Sequence, residues 1–306
     1  NHDDIYEQLL ELDVKFVIFG IAEDIGVFAN LGETGASKAW DVAIKFLLNT
    51  QMNDKNNADR VLVLGHFEFT DLQNQIKSLD QNNPTDIKKS RFLVEIIDKE
   101  VNYLVTEIVS AGKIPIIIGG GHNNAYGIIK GTSLALKKPI NVINFDAHHD
   151  FRPMEGRHSG NGFSYAFNEG FLKRYFIFGL DENYVSKSIS RLIKRLKNIS
   201  YFTFEEMMIR EERNYFELMY KAKKFLRKSH FGIELDVDAI ENVPSSAISP
   251  SGFTVTQARQ FVHYFGFKES VKYLHICEAA PNSRHEKQVG KLISYLITDF
   301  IRAVKN

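Results

Sequence analysis

The sequence has little of what marks several classes of protein. Only one of its 306 residues, Cys277, is a cysteine, which excludes an internal disulfide and fits a reducing compartment. It contains no apolar run of about 18 residues or more and no signal-peptide pattern, so we expect a soluble, cytoplasmic protein with no membrane partner. Lys plus Arg and Asp plus Glu each number 38, and this zero net charge gives no reason to expect a nucleic-acid partner.

The composition is otherwise that of an ordinary globular protein, with 44% hydrophobic and 25% charged residues. The length allows one large α/β domain or two small ones. Because no linker, repeat or change of composition divides the chain, we expect a single domain over residues 1–306.

Strand patterns alternate with helix patterns along the whole chain, which predicts an α/β fold with a mostly parallel sheet and helices on both faces. The expected strands are residues 14–19, 60–65, 114–118, 140–145, 175–178, 199–203, 231–235 and 272–277. The expected helices are residues 37–48, 84–111, 124–136, 185–196, 215–227, 254–265 and 285–304. Two glycine-containing stretches, 23–35 and 151–167, are expected to be loops.

Three of these strands run directly into polar side chains of the kinds that bind metals. The set has four carboxylates and two imidazoles: His122, Asp146, His148, Asp150, Asp236 and Asp238. If residues 146–150 stay extended, Asp146, His148 and Asp150 point to one side and His149 to the other. Parallel strands place chemistry at their carboxyl ends, so we expect the three segments to meet there.

Four carboxylates at one sheet edge repel each other unless cations lie among them, and two divalent ions would balance the charge. Oxygen and nitrogen ligands without thiolates suit Mn²⁺ and similar divalent transition metals better than structural zinc. Each segment alone also fits a solvated loop. The occurrence of all three directly after strands favours a metal site.

Together these segments resemble the ureohydrolase family of arginase, agmatinase and formimidoylglutamase, whose members have two Mn²⁺ ions in a three-layer α/β/α fold. The resemblance implies that His122 and Asp150 bind one ion and that His148 and Asp238 bind the other. Asp146 and Asp236 would bridge the two ions. It also implies a homo-oligomer, a trimer or a hexamer.

Within that family the sequence is most similar to formimidoylglutamase. The similarity lies in Gly119-Gly120-Gly121-His122, in Arg152, in residues 159–163 and in residues 236–252. It implies hydrolysis of N-formimidoyl-L-glutamate to L-glutamate and formamide by a hydroxide that bridges two metal ions. The alternatives are hydrolysis of a guanidino compound with release of urea, and a catalytically silent binding subunit.

The same resemblance suggests roles for residues around the metals. Asp150 is the candidate to carry a proton to the departing amine, and Glu278 is the candidate partner of the cationic amidinium group. Arg152 is expected to bind a substrate carboxylate, with hydrogen bonds added by Ser159 and Asn161. His158 is expected to be a solvated loop residue rather than a proton shuttle.

Overall fold

The computed structural model describes residues 4–305 and has an eight-stranded sheet at its centre. The strands are β1 (Phe16–Ala22), β2 (Val61–Glu68), β3 (Ile114–Ile118), β4 (Ile140–Phe145), β5 (Leu172–Leu180), β6 (Ile199–Thr203), β7 (Phe231–Asp236) and β8 (Val271–Cys277). Every neighbouring pair is parallel. The order across the sheet is β2-β1-β3-β8-β7-β4-β5-β6. Each of the expected strands is present, and the sheet is parallel throughout.

Helices follow or precede the strands along the chain. They are α1 (Asp4–Glu11), α2 (Ile25–Ala29), α3 (Ala39–Leu47), α4 (Thr70–Ile76), α5 (Pro84–Ser110), α6 (Ala125–Ala135), α7 (Gly162–Asn168), α8 (Lys187–Arg195), α9 (Tyr215–Leu226), α10 (Val255–Gly266) and α11 (Glu286–Ala303). The sequence missed α1, α2, α4 and α7. These four have at most eight residues, and a helix of about two turns shows too little of the 3.6-residue apolar period to be recognised.

Strand side chains alternate between two separate hydrophobic cores, one on each face of the sheet. In β1, Phe16 and Ile18 pack in the core that includes residues of α3, α10 and α11. Val17 and Phe19, the alternate residues of the same strand, pack in the core that includes residues of α5 and α6. Since successive side chains of a strand point to opposite faces, the sheet is covered on both sides, and the expected three-layer α/β/α architecture is confirmed.

The strand order determines where the site can form. β3, β8, β7 and β4 are consecutive neighbours at the centre of the sheet. The candidate ligands lie in the segments after β3 and β4 and at the end of β7, and Glu278 follows β8. Segments far apart in the sequence therefore emerge side by side at the carboxyl edge of the sheet. Among residues 4–305, no helix combines the length and apolar character needed to cross a membrane.

The central strands are expected to carry most of the stability of the sheet. Ile143 on β4 is fully buried, whereas the side chain of Leu48 beside α3 is 70% exposed. We predict that Ile143→Ala lowers the free energy of unfolding by about 2–5 kcal/mol, because it removes buried methyl groups and leaves a cavity. Leu48→Ala, the control, should change it by about 0.5 kcal/mol or less. Urea unfolding followed by circular dichroism measures both, and equal losses would contradict this account of the core.

Candidate metal centre

The turn after β3 delivers His122 to the site through a tight glycine segment. Gly119 and Gly120 have φ angles of +87° and +72°, a region that residues with a Cβ rarely adopt. The fully buried carboxylate of Glu23 accepts hydrogen bonds from the Gly121 backbone N–H at 3.0 Å and from Asn124 Nδ2 at 2.6 Å. Glu23 therefore anchors the turn that presents His122.

His122 stands at the centre of a first cluster with three carboxylates. Its Nδ1 lies 2.9 Å from Asp150 Oδ2, 3.3 Å from Asp146 Oδ2 and 3.3 Å from Asp236 Oδ2. The ring is completely buried. The four residues offer ligand atoms that all lie within 4.8 Å of one another.

A second cluster adjoins the first and shares Asp146 with it. His148 Nδ1 lies 3.0 Å from Asp238 Oδ2 and 3.6 Å from Asp146 Oδ1. The two oxygens of Asp146 thus face different histidines, the arrangement required of a bridging carboxylate. Asp236 groups only with the His122 cluster, so its bridging role stays a prediction. The structure brings all six candidate ligands together.

The chemistry of this donor set fits two divalent cations. Both ring nitrogens of His122 and Oδ1 of Asp238 are buried without a hydrogen-bond partner among the described residues. Burial, and then the nearby carboxylates Asp238 and Asp146, raise the pKa of Asp236 well above its ordinary value. Buried polar atoms are normally paired, and clustered carboxylates are normally balanced by positive charge. Mn²⁺ accepts both carboxylate and imidazole ligands and would satisfy both requirements.

The segment after β4 does not stay extended, which changes one expectation. Asp150 has a φ of +41°, so the chain turns there instead of continuing the strand alternation. His149, expected to point away, lines the same cavity as His148 and Asp150. Its Nδ1 accepts the backbone N–H of Phe151 at 2.9 Å. The expected alternation of side chains over residues 146–150 is absent because β4 ends at Phe145, before the candidate ligands begin.

Glu278 lies at the end of β8 and is held from two sides. Its Oε1 accepts the backbone N–H of His122 at 2.6 Å, and its Oε2 accepts the hydroxyl of Ser246 at 2.5 Å. Burial raises the pKa of Glu278 to about 8. Its φ of +62° is unusual for a residue with a side chain, and such backbone strain is often found at functional sites.

A cavity of about 320 Å³ is lined by four of the six candidate ligands and by most of the expected substrate residues. Arg152, Ser159 and Glu278 all line it. Arg152 donates from Nη1 to Asn30 Oδ1 at 2.6 Å and from Nη2 to Glu155 Oε1 at 3.2 Å. The guanidinium group is thus held at the wall of the cavity by two neighbouring side chains.

Two loop residues are placed differently from the expectation. Asn161 is buried and is not among the residues that line the cavity. Its Oδ1 accepts from Arg157 at 2.7 Å, and its Nδ2 donates to the Gly156 carbonyl at 2.8 Å, so the amide supports the loop rather than a substrate contact. His158 is fully buried instead of solvated, and burial lowers its pKa to about 3.

Three further polar side chains line the cavity and were given no role by the sequence analysis: Asn30, Tyr184 and Ser246. The ring of Tyr184 packs on that of His148 with centroids 4.9 Å apart. Asn30 follows α2 and forms hydrogen bonds with both Arg152 and Ser159. None of these residues directly follows a strand, so the strand-end signal that located the ligands could not locate them.

The fold and the site together define a three-layer α/β protein with a candidate two-metal centre. The family model described as the arginase family matches residues 14–302. The chain therefore belongs to the arginase family.

Similar proteins include formimidoylglutamases from Streptococcus pyogenes. One, from a serotype M3 strain, is 28% identical over 200 residues, which cover 63% of this chain and 55% of the relative. Another, from a serotype M12 strain, is 24% identical over 291 residues, covering 92% and 82%. Among solved structures, formiminoglutamase of Trypanosoma cruzi with Mn²⁺ has a TM-score of 0.76 at 19% identity, covering 97% of this chain and 99% of that chain. This likeness extends the arginase-like fold to nearly the whole chain.

Without metal, the site should make the protein less stable as the pH rises. Burial raises the pKa of Asp236, Asp238 and Glu278, for Glu278 to about 8. The protonated carboxyls therefore make their full contribution to stability at pH values below their pKa in the unfolded protein. This contribution is lost as the pH rises through their pKa in the folded protein. We predict that the Tm of the metal-free protein falls between about pH 5 and about pH 8.5, and that Mn²⁺ restores it. Thermal unfolding with and without Mn²⁺ measures this, and a metal-free Tm that rises over this range would contradict it.

Proposed function

We propose that this protein is a manganese-dependent hydrolase that cleaves N-formimidoyl-L-glutamate to L-glutamate and formamide. The observation that carries the proposal is that one cavity is lined by Glu278, by Arg152 and by four of the six clustered candidate ligands. An amidine with an acidic tail has a cationic head for Glu278 and a carboxylate for Arg152. The formimidoylglutamases among its relatives support the same substrate.

The metal site would supply the activated water. His122, Asp146 and Asp150 would hold one ion, with Asp236 beside them, and His148 and Asp238 would hold the other with Asp146. Bound there, two divalent ions would lower the pKa of a shared water and neutralise the clustered carboxylates.

Glu278 would orient the amidine. Its two oxygens are held by Ser246 and the His122 backbone N–H, so the carboxylate cannot turn away from the cavity. A cationic amidinium beside it would favour the ionised carboxylate, which burial alone disfavours. This pairing would present the amidine carbon to the activated water in a defined orientation.

Asp150 would carry the proton. Its side chain is 14% exposed, whereas those of Asp146, Asp236 and Asp238 are at most 3% exposed, so it is the ligand carboxylate with most access to the cavity. As the oxygen of water bonds to the amidine carbon, Asp150 would accept one proton of the water and then donate it to the glutamate nitrogen as the C–N bond breaks. The second proton of the water would pass to solvent as the C=O bond of formamide forms.

A substrate panel tests the proposal directly. The Mn²⁺-loaded protein is incubated with formimidoylglutamate, arginine or agmatine, and formamide and urea are assayed. We predict formamide from the first substrate and no urea from the other two. The variant Glu278→Gln, which keeps the size of the side chain but removes its charge, should be inactive. Urea from arginine or agmatine without formamide would refute the proposed substrate, and no product from a fully metal-loaded protein would favour a binding subunit.

Arg152 should determine the affinity for the acidic tail. We predict that Arg152→Ala raises KM for formimidoylglutamate roughly 10- to 100-fold with little change in kcat, because a charged hydrogen bond to the substrate carboxylate is lost. Arg174 is a matched control, since it lies on β5 and donates to the Phe225 carbonyl, away from the cavity. Arg174→Ala should leave KM unchanged. A fall in kcat at constant KM in Arg152→Ala would contradict a role in substrate binding.

A further inference from the structure

A buried polar cluster lies behind the metal ligands and outside the substrate cavity. Glu234, Tyr273 and His275 belong to the neighbouring strands β7 and β8, and all three side chains are completely buried. Burying a carboxylate costs free energy unless hydrogen bonds or charges compensate it. Apolar side chains at these positions would avoid this cost, so the presence of the polar cluster needs an explanation.

Glu234 is the centre of this cluster. Its Oε1 accepts a hydrogen bond from the Tyr273 hydroxyl at 2.7 Å, and its Oε2 lies 2.6 Å from His275 Nδ1. The same Oε2 lies 3.5 Å from Nε2 of His122. Two neighbours thus fix the carboxylate in place, and its second oxygen is left facing the ring of a candidate metal ligand.

Carboxylates therefore face both nitrogens of the His122 ring. Its Nδ1 faces Asp146, Asp150 and Asp236 at 2.9–3.3 Å, while its Nε2 faces Glu234. Phe163 packs edge-on against the ring, with centroids 5.1 Å apart, which restricts its rotation. An imidazole that binds a metal through one nitrogen commonly donates its other N–H to a carboxylate, and this contact sets the ring orientation and the tautomer.

The strand geometry makes Glu234 well placed for this task. Glu234 and Asp236 are two residues apart on β7, so their side chains project from the same face of the sheet. One strand therefore supplies a carboxylate to each end of the His122 ring. A rigid central strand positions such groups more precisely than a loop does.

We propose that Glu234 is a positioning residue that holds His122 with Nε2–H toward Glu234 and Nδ1 toward the metal. The assignment concerns the ion beside His122 and leaves the ion beside His148 and Asp238 unaffected. It rests on the proposed metal site but not on the identity of the substrate. No residue of this cluster lines the substrate cavity, so its effect reaches the reaction through His122 and the turn that presents it, where the Gly119 carbonyl lies 3.3 Å from Nε2 of His275.

Metal binding by Glu234→Gln tests the proposal. The variant keeps the shape of the side chain but leaves one oxygen for the donors at His122 and His275. We expect one of the two Mn²⁺ ions to bind roughly 10- to 100-fold more weakly, and the other to bind as in the wild-type protein. Mn²⁺ titration against a competing chelator gives the affinities, and electron paramagnetic resonance counts the bound ions.

Tyr273→Phe is the matched control. It removes the hydroxyl that donates to Oε1 of the same carboxylate but leaves the contact between Oε2 and His122 intact. Both ions should bind to this variant with wild-type affinity. Thermal unfolding of the two variants shows whether either change acts through stability alone.

Two results would overturn the proposal. One is wild-type affinity for both ions in Glu234→Gln, and the other is equal loss of metal in Glu234→Gln and Tyr273→Phe, which would indicate a purely structural cluster. If Glu234→Gln does not fold, ¹⁵N nuclear magnetic resonance of the wild-type protein loaded with diamagnetic Zn²⁺ decides. A proton on Nε2 of His122 with Nδ1 bound to metal supports the proposal, and the reverse arrangement refutes it. A protein that binds two ions but releases no formamide would refute the substrate and not this role.

Discussion

The structure depends on the electrostatics of one small volume at the carboxyl edge of the sheet. Asp146, Asp150, Asp236, Asp238 and Glu278 crowd there around His122 and His148. Two imidazoles cannot balance five carboxylates even if both are protonated, and most of these groups are buried. Removal of one charged partner from such a group is strongly destabilising, and neighbouring carboxylates raise each other's pKa. Bound cations would resolve this conflict, so we expect metal binding to stabilise the folded state.

The parallel sheet makes this crowding possible. Its order β3-β8-β7-β4 puts four strand ends from distant parts of the chain next to one another. Hydrophobic cores on both faces keep these strands fixed, so the turns at their ends can hold strained residues such as Asp150 and Glu278. The two cores stabilise the fold, and the loops at one edge of the sheet can therefore hold a cluster of charged residues.

The sequence predicted the parts that have a strong periodic or chemical signal. All eight strands were located, and the six candidate ligands do cluster, because an apolar run followed by Asp or His is a local pattern. Asn161 and His158 were misjudged because burial of a loop residue depends on the whole fold, in this case on Arg157 and the turn before α7. Asn30 and Glu234 carry no local mark of function. Their importance lies in contacts to Arg152 and His122, which are 122 and 112 positions away and meet them only in three dimensions.

The central claim is that cations hold these side chains together, and anomalous X-ray diffraction tests it most directly. Crystals grown with Mn²⁺ would be measured at the manganese absorption edge. The account predicts two anomalous peaks within the cluster, one beside His122 and one beside His148, with Asp146 between them. Ordered, unaltered side chains with no peak in the cluster, or manganese bound only elsewhere, would contradict it.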